Sequence, residues 1–112
     1  MKFAPLLISI AALSLSACAE STAVADAFAR QSAKAAVDTA LANRFPNVPA
    51  QLVTPFSDCV IENASASEII SLSTSAIAGL DDDVVRLTGE ILNRAPTQTC
   101  VARASVNAIT NP

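Results

Sequence analysis

Three cysteines (Cys18, Cys59 and Cys100) and ten carboxylates carry most of the reactive chemistry in this 112-residue chain. The sequence has no His, Tyr or Trp, so the common general base is missing. Cys59 and Cys100 lie far apart with no C-x-x-C spacing, which is not a zinc-site pattern. Asp81-Asp82-Asp83 invites a cation. Calcium loops, however, interleave Asp with Asn or Gly and supply a Glu at the last loop position. Three adjacent Asp at a helix start read instead as capping residues that complement the helix dipole. The pairs Asp58/Glu62 and Glu62/Glu68 have acid–base value only if burial in a cleft separates their pKa values. Ser71 to Ser75, "SLSTS", lacks both a G-x-S-x-G context and a His base, and reads as a polar helix face. Asn63-Ala64-Ser65 matches a glycosylation sequon, but Ser65 serves better as a helix cap. With only two Gly, no phosphate-cradling loop exists. These residues point to a chain that is not an enzyme and uses no cofactor and no metal.

The N-terminal stretch "MKFAPLLISIAALSLSACAE" has one Lys, an apolar run and then small residues. That is the layout of a secretory signal peptide. The run is shorter than the roughly 20 residues a bilayer span needs, so the mature chain is expected to carry no transmembrane helix. Directly after it, Leu15-Ser16-Ala17-Cys18 resembles the lipobox of bacterial lipoproteins. The resemblance implies a signal peptide over 1–17, a mature helical domain over 18–112, and a diacylglycerol on Cys18. Residues 18–29 would then serve as tether and first half of the leading helix. Several acyl chains give stable anchoring, whereas one binds marginally. Ala19 after the Cys, rather than Asp, implies by the same resemblance an outer-membrane location facing the periplasm. The competing reading is a cut after Ala19, since Ala17-Cys18-Ala19 is itself an A-x-A site. That cut would discard Cys18 and leave a soluble periplasmic protein.

Either outcome removes Cys18 from the thiols, so an exported chain keeps the pair Cys59 and Cys100. Such a pair suggests a disulfide, the alternative being two buried free thiols. The closed loop is long enough for about 4 kcal/mol in the chain-entropy model.

The elements that must position these groups are all helical. Residues 20–45 are Ala-rich and read as one long helix ending near Asn43 and Pro46. Val37, Leu41 and Phe45 share one face of it. Val24 and Phe28 lie on a face rotated by about 120°, which leaves them facing a partner or solvent. Residues 46–56 hold three Pro and read as a loop, followed by a short turn "SDCVIEN" with Cys59 in its first turn. Ser65-Ala66-Ser67-Glu68 is a capping box that opens a helix over 66–78, ended by Gly79. Ile69, Ile70, Ser73, Ala76, Ile77 and Leu80 give it a buried side. Asp81 to Asp83 begin a helix to about Asn93, with Val84, Leu87, Thr88 and Ile91 inward. Pro96 stops it, and Thr97 caps a last helix over 98–109 with Cys100 in its first turn. Val101, Ala104, Ser105 and Ala108 form a small-residue stripe for residues 30–45 to pack on. The expected fold is all-α, a small irregular bundle of about four helices stapled by one disulfide.

Beyond residue 17 the chain carries six basic and ten acidic residues. It has no basic patch, which argues against nucleic acid as a partner. The expected partners are the membrane, through the lipid, and another envelope protein. One functional class is therefore a non-enzymatic accessory lipoprotein touching that protein through Val24 and Phe28. The other is a soluble periplasmic small-ligand binder or enzyme inhibitor, with a pocket lined by Ile70, Ile77 and Ile91.

Overall fold

A computed structural model describes residues 25–111. Helix α1 covers 25–44 of the described chain. A short 3-10 turn at Ala50–Leu52 leads into α2, Val53–Glu62. Helices α3 (Ala66–Ala78), α4 (Asp82–Leu92) and α5 (Ala95–Thr110) follow. No strand occurs among the described residues, so the chain is all-α as expected.

Helix α1 supplies the central wall of the core. Ala33, Val37, Ala40 and Leu41 are fully buried, with Ala36 nearly so. This i, i+3, i+4, i+7 spacing is the inward stripe of a helix. Its small residues let neighbouring helices approach closely, because interaxial distance follows side-chain size. Phe45 closes the stripe against the core. Phe28 is 66% exposed, so the two faces separate as the sequence predicts. Val24 lies outside the described residues.

Helix α2 corrects the loop expected over 46–56. Pro55 is its third residue, where a missing N–H costs nothing because the first-turn amides have no intrahelical partner. Phe56, Ser57, Cys59, Val60 and Ile61 turn inward. Cys59 therefore sits in the second turn, not the first. The Ser57 hydroxyl donates to the carbonyl of Lys34 at 3.3 Å, and Lys34 Nζ meets Asp58 at 2.8 Å. These two contacts seat α2 on α1.

Helix α3 has both halves of its capping box. The Glu68 amide donates to Ser65 Oγ at 3.3 Å, and the Ser65 amide donates to Glu68 Oε1 at 2.8 Å. Gly79 ends the helix at φ 99°, ψ 170°, a backbone region open to Gly and closed to side chains. The inward face is narrower than expected and includes Leu72. Ile69 and Leu72 are buried, whereas Ile70 is 63% and Ile77 85% exposed. The helix covers only one flank of the core, so a three-residue step from Ile69 to Leu72 exhausts its buried side.

Asp81 caps α4 by accepting the Val84 amide at 2.9 Å, and Val84, Thr88 and Ile91 are buried. Helix α5 starts earlier than expected. Arg94 is its extended N-cap and Pro96 lies in its first turn, so Pro96 begins this helix rather than stopping the previous one. Thr97 is no cap. It is fully buried, and Cys100 falls in the second turn. Helix α5 lies along α2, and the Cys59–Cys100 disulfide joins them with Cα atoms 5.6 Å apart.

Candidate functional site

Two staples hold one seam of the bundle. The disulfide is the first. The second is built from Arg94, at the head of α5. Arg94 Nη1 and Nη2 donate to Glu68 Oε1 and Oε2 at 2.9 and 2.6 Å, and Nη1 also donates to the Asn63 carbonyl at 2.8 Å. One guanidinium, carried at the head of α5, thus binds both the end of α2 and the first turn of α3. Planar guanidinium and carboxylate match in this two-pronged geometry. The Arg94 hydrogen bonds, followed by the Ser65 amide, lower the Glu68 pKa to about 2. Glu68 is thereby spent on structure and does not serve as an acid or base near neutral pH. The capping box made Glu68 legible in the sequence. Arg94 carried no local signal, since it stands 26 residues away.

The remaining chemical candidates disperse. Asp58 holds Lys34. Asp81 is a cap, Asp82 faces Arg44 at 3.4 Å and Asp83 faces Arg86 at 3.6 Å. Among the described residues no three His, Cys, Asp or Glu side chains cluster as metal ligands would. In "SLSTS", Ser71, Thr74 and Ser75 donate back to carbonyls one turn earlier, and Leu72 packs inward. Asn63 Nδ2 bonds the Cys59 carbonyl at 2.8 Å, closing the end of α2. Val101, Ala104, Ser105 and Ala108 are half-buried on α5. Cys18 lies outside the described residues.

The three isoleucines expected around a pocket do not meet. Ile91 is fully buried while Ile70 and Ile77 point outward. Larger, shallower grooves lie on the described surface, one of them beside Ile70, and a smaller cleft of about 150 Å³ lies between α1 and the end of α3. Ala35, Ala36, Thr39, Ala76, Gly79 and Leu80 line it, with Ser75 and Val84. The Thr39 and Ser75 hydroxyls are already bonded within their own helices, so no free polar side-chain group converges on it. Small-molecule sites typically span about 300–1,000 Å³. This cleft fits one side chain. Sequence reasoning missed it because it requires α1 and α3 to lie side by side.

No described helix is long and apolar enough to cross a membrane. No protein-family model matches the chain, and neither the curated proteins nor the solved structures hold a significant match.

Proposed function

We propose that this chain is a small exported lipoprotein of the bacterial envelope, anchored through acylated Cys18 in the outer membrane and facing the periplasm. Its role is that of a non-enzymatic accessory that contacts another envelope protein. The observation that carries this reading is Leu15-Ser16-Ala17-Cys18 placed directly after an apolar leader. The disulfide supports an oxidising compartment. Seven peptide steps separate Cys18 from residue 25, a reach of at most about 25 Å. An acylated Cys18 therefore keeps the exposed Phe28 end of α1 close to the bilayer and points to a membrane-proximal partner.

Intact mass spectrometry of the exported protein tests the anchor. A mature chain beginning at Cys18 and carrying acyl mass is expected. A mature chain beginning at Glu20 refutes it. Phe28→Asp tests the contact face. The variant should fold and localise normally yet lose a partner that the wild type retains, and retention of every partner removes Phe28 from the interface.

A further inference from the structure

We infer that Cys100 is the site at which an external thiol enters the Cys59–Cys100 bond, and that the Glu62 carboxylate beside its sulfur makes that site favour cationic thiols over anionic ones. This assignment goes beyond the anchoring proposal and does not depend on acylation of Cys18.

The two sulfurs of the staple are not equivalent. Cys59 is 2% exposed, whereas Cys100 is half-buried. Both cysteines border a surface groove between α2 and α5, with Asp58 and Glu62 on one wall and Arg103 on the other. Exchange requires a thiolate to reach the sulfur it will bond, so access selects Cys100. The incoming thiolate forms a new S–S bond with Cys100 Sγ as the Cys59–Cys100 bond breaks. The electron pair leaves on Cys59 Sγ, which then takes a proton from water. A second thiolate attacks the external sulfur of the mixed disulfide, releasing a small disulfide and the Cys100 thiol. The first departure is slow, because a buried site disfavours the thiolate charge that must leave there.

Fixed charge at the same sulfur sets the preference. Glu62 Oε2 lies 3.8 Å from Cys100 Sγ. Among the described residues Glu62 takes part in no ion pair. The other groove carboxylate, Asp58, is held by Lys34 of α1 at 2.8 Å. Arg103 pairs with neither carboxylate. In the exchange transition state one negative charge spreads over three sulfurs in line, with Cys100 Sγ at the centre. A carboxylate at this distance opposes that charge. It also repels an anionic group elsewhere on the attacking thiol and attracts an ammonium there, so the two kinds of thiol are separated by sign.

Reduction kinetics test this on the full chain, exported with its own leader and purified in a non-ionic detergent. Two small thiols of opposite charge serve as probes, cysteamine and 2-mercaptoethanesulfonate, with each rate expressed per thiolate. The preference for cysteamine should fall by about threefold in Glu62→Gln, and added salt should shrink it in the wild type. A carboxylate with a merely structural role would change both rates by one factor and leave their ratio alone. Acid quenching followed by peptide mapping should find the first thiol adduct on Cys100. An unchanged ratio in Glu62→Gln overturns the charge assignment, and a first adduct on Cys59 overturns the entry site. Reduction rates independent of thiol concentration overturn both, because the bond would then open only through unfolding.

Discussion

Arg94 grips Glu68 across 26 residues of sequence, its two terminal guanidinium nitrogens each donating to one carboxylate oxygen, at 2.9 and 2.6 Å. Glu68 is also the returning half of the α3 capping box. A single side chain thus closes a helix start and locks it to the head of another helix. Loss of its charge removes the ion pair with Arg94 and leaves the cap a weaker, neutral acceptor for the Ser65 amide.

That coupling sets the acid response. The folded-state pKa of Glu68 is lowered from 4.5 to about 2, so its stabilisation is fully present above pH 4.5. It is lost as pH falls through about 2, because the unfolded chain takes up the proton first. Thermal midpoints recorded between pH 6 and pH 2 should fall for the wild type. Glu68→Gln should lie below the wild type at pH 6 and converge on it at the acid end. Parallel curves would show that Glu68 does not govern the acid limb.

Reduction should cost more than acid. The Cys59–Cys100 bond closes a 41-residue separation, which corresponds to about 4 kcal/mol in the chain-entropy model. That is a large part of the stability of a domain this small. Urea unfolding with and without a reductant measures the difference. Cys59→Ser should destabilise more than Cys100→Ser, because Cys59 is buried while Cys100 is only half-buried, and the new hydroxyl of Cys59→Ser must be desolvated. Equal stability of the oxidised and reduced protein would contradict this assignment.

Two buried hydroxyls run against the core. Thr88 and Thr97 are fully buried, and their Oγ1 atoms find no hydrogen-bond partner in the protein. Leaving a buried polar group unpaired costs about 1–3 kcal/mol. Thr97→Val keeps the branched shape and removes the penalty, so it should raise stability by about 1 kcal/mol, read as a higher urea midpoint with an unchanged m-value. A drop in midpoint would show that the hydroxyl is satisfied in solution.

Local rules account for much of the fold. Ser65, Glu68, Gly79 and Asp81 mark helix ends through contacts within a few residues, so their roles are legible without a partner helix. The Val37–Leu41–Phe45 stripe and the outward Phe28 follow from periodicity alone. Proline alone does not distinguish a helix stop from a helix start. Pro55 and Pro96 suggest breakers, yet a first turn accommodates Pro because its amides are unpaired, and both α2 and α5 begin around one. Thr97 looked like a cap because Thr is a good one, but packing draws it into the core and leaves capping to the Arg94 backbone.

The sequence by itself determined the helical class and most helix boundaries, and it offered Cys59 and Cys100 as the pair that remains once the leader's Cys18 is set aside. It also presents the Leu15–Cys18 stretch on which the proposed anchoring rests. Each of these depends on neighbouring residues or simple counting. Only the tertiary structure decided that Arg94 meets Glu68, that Leu72 rather than Ile70 or Ile77 enters the core, and that a one-side-chain cleft opens between α1 and α3. Those outcomes depend on how rigid helices of unequal side-chain bulk fit against one another, a property of pairs of elements that no single stretch of chain contains.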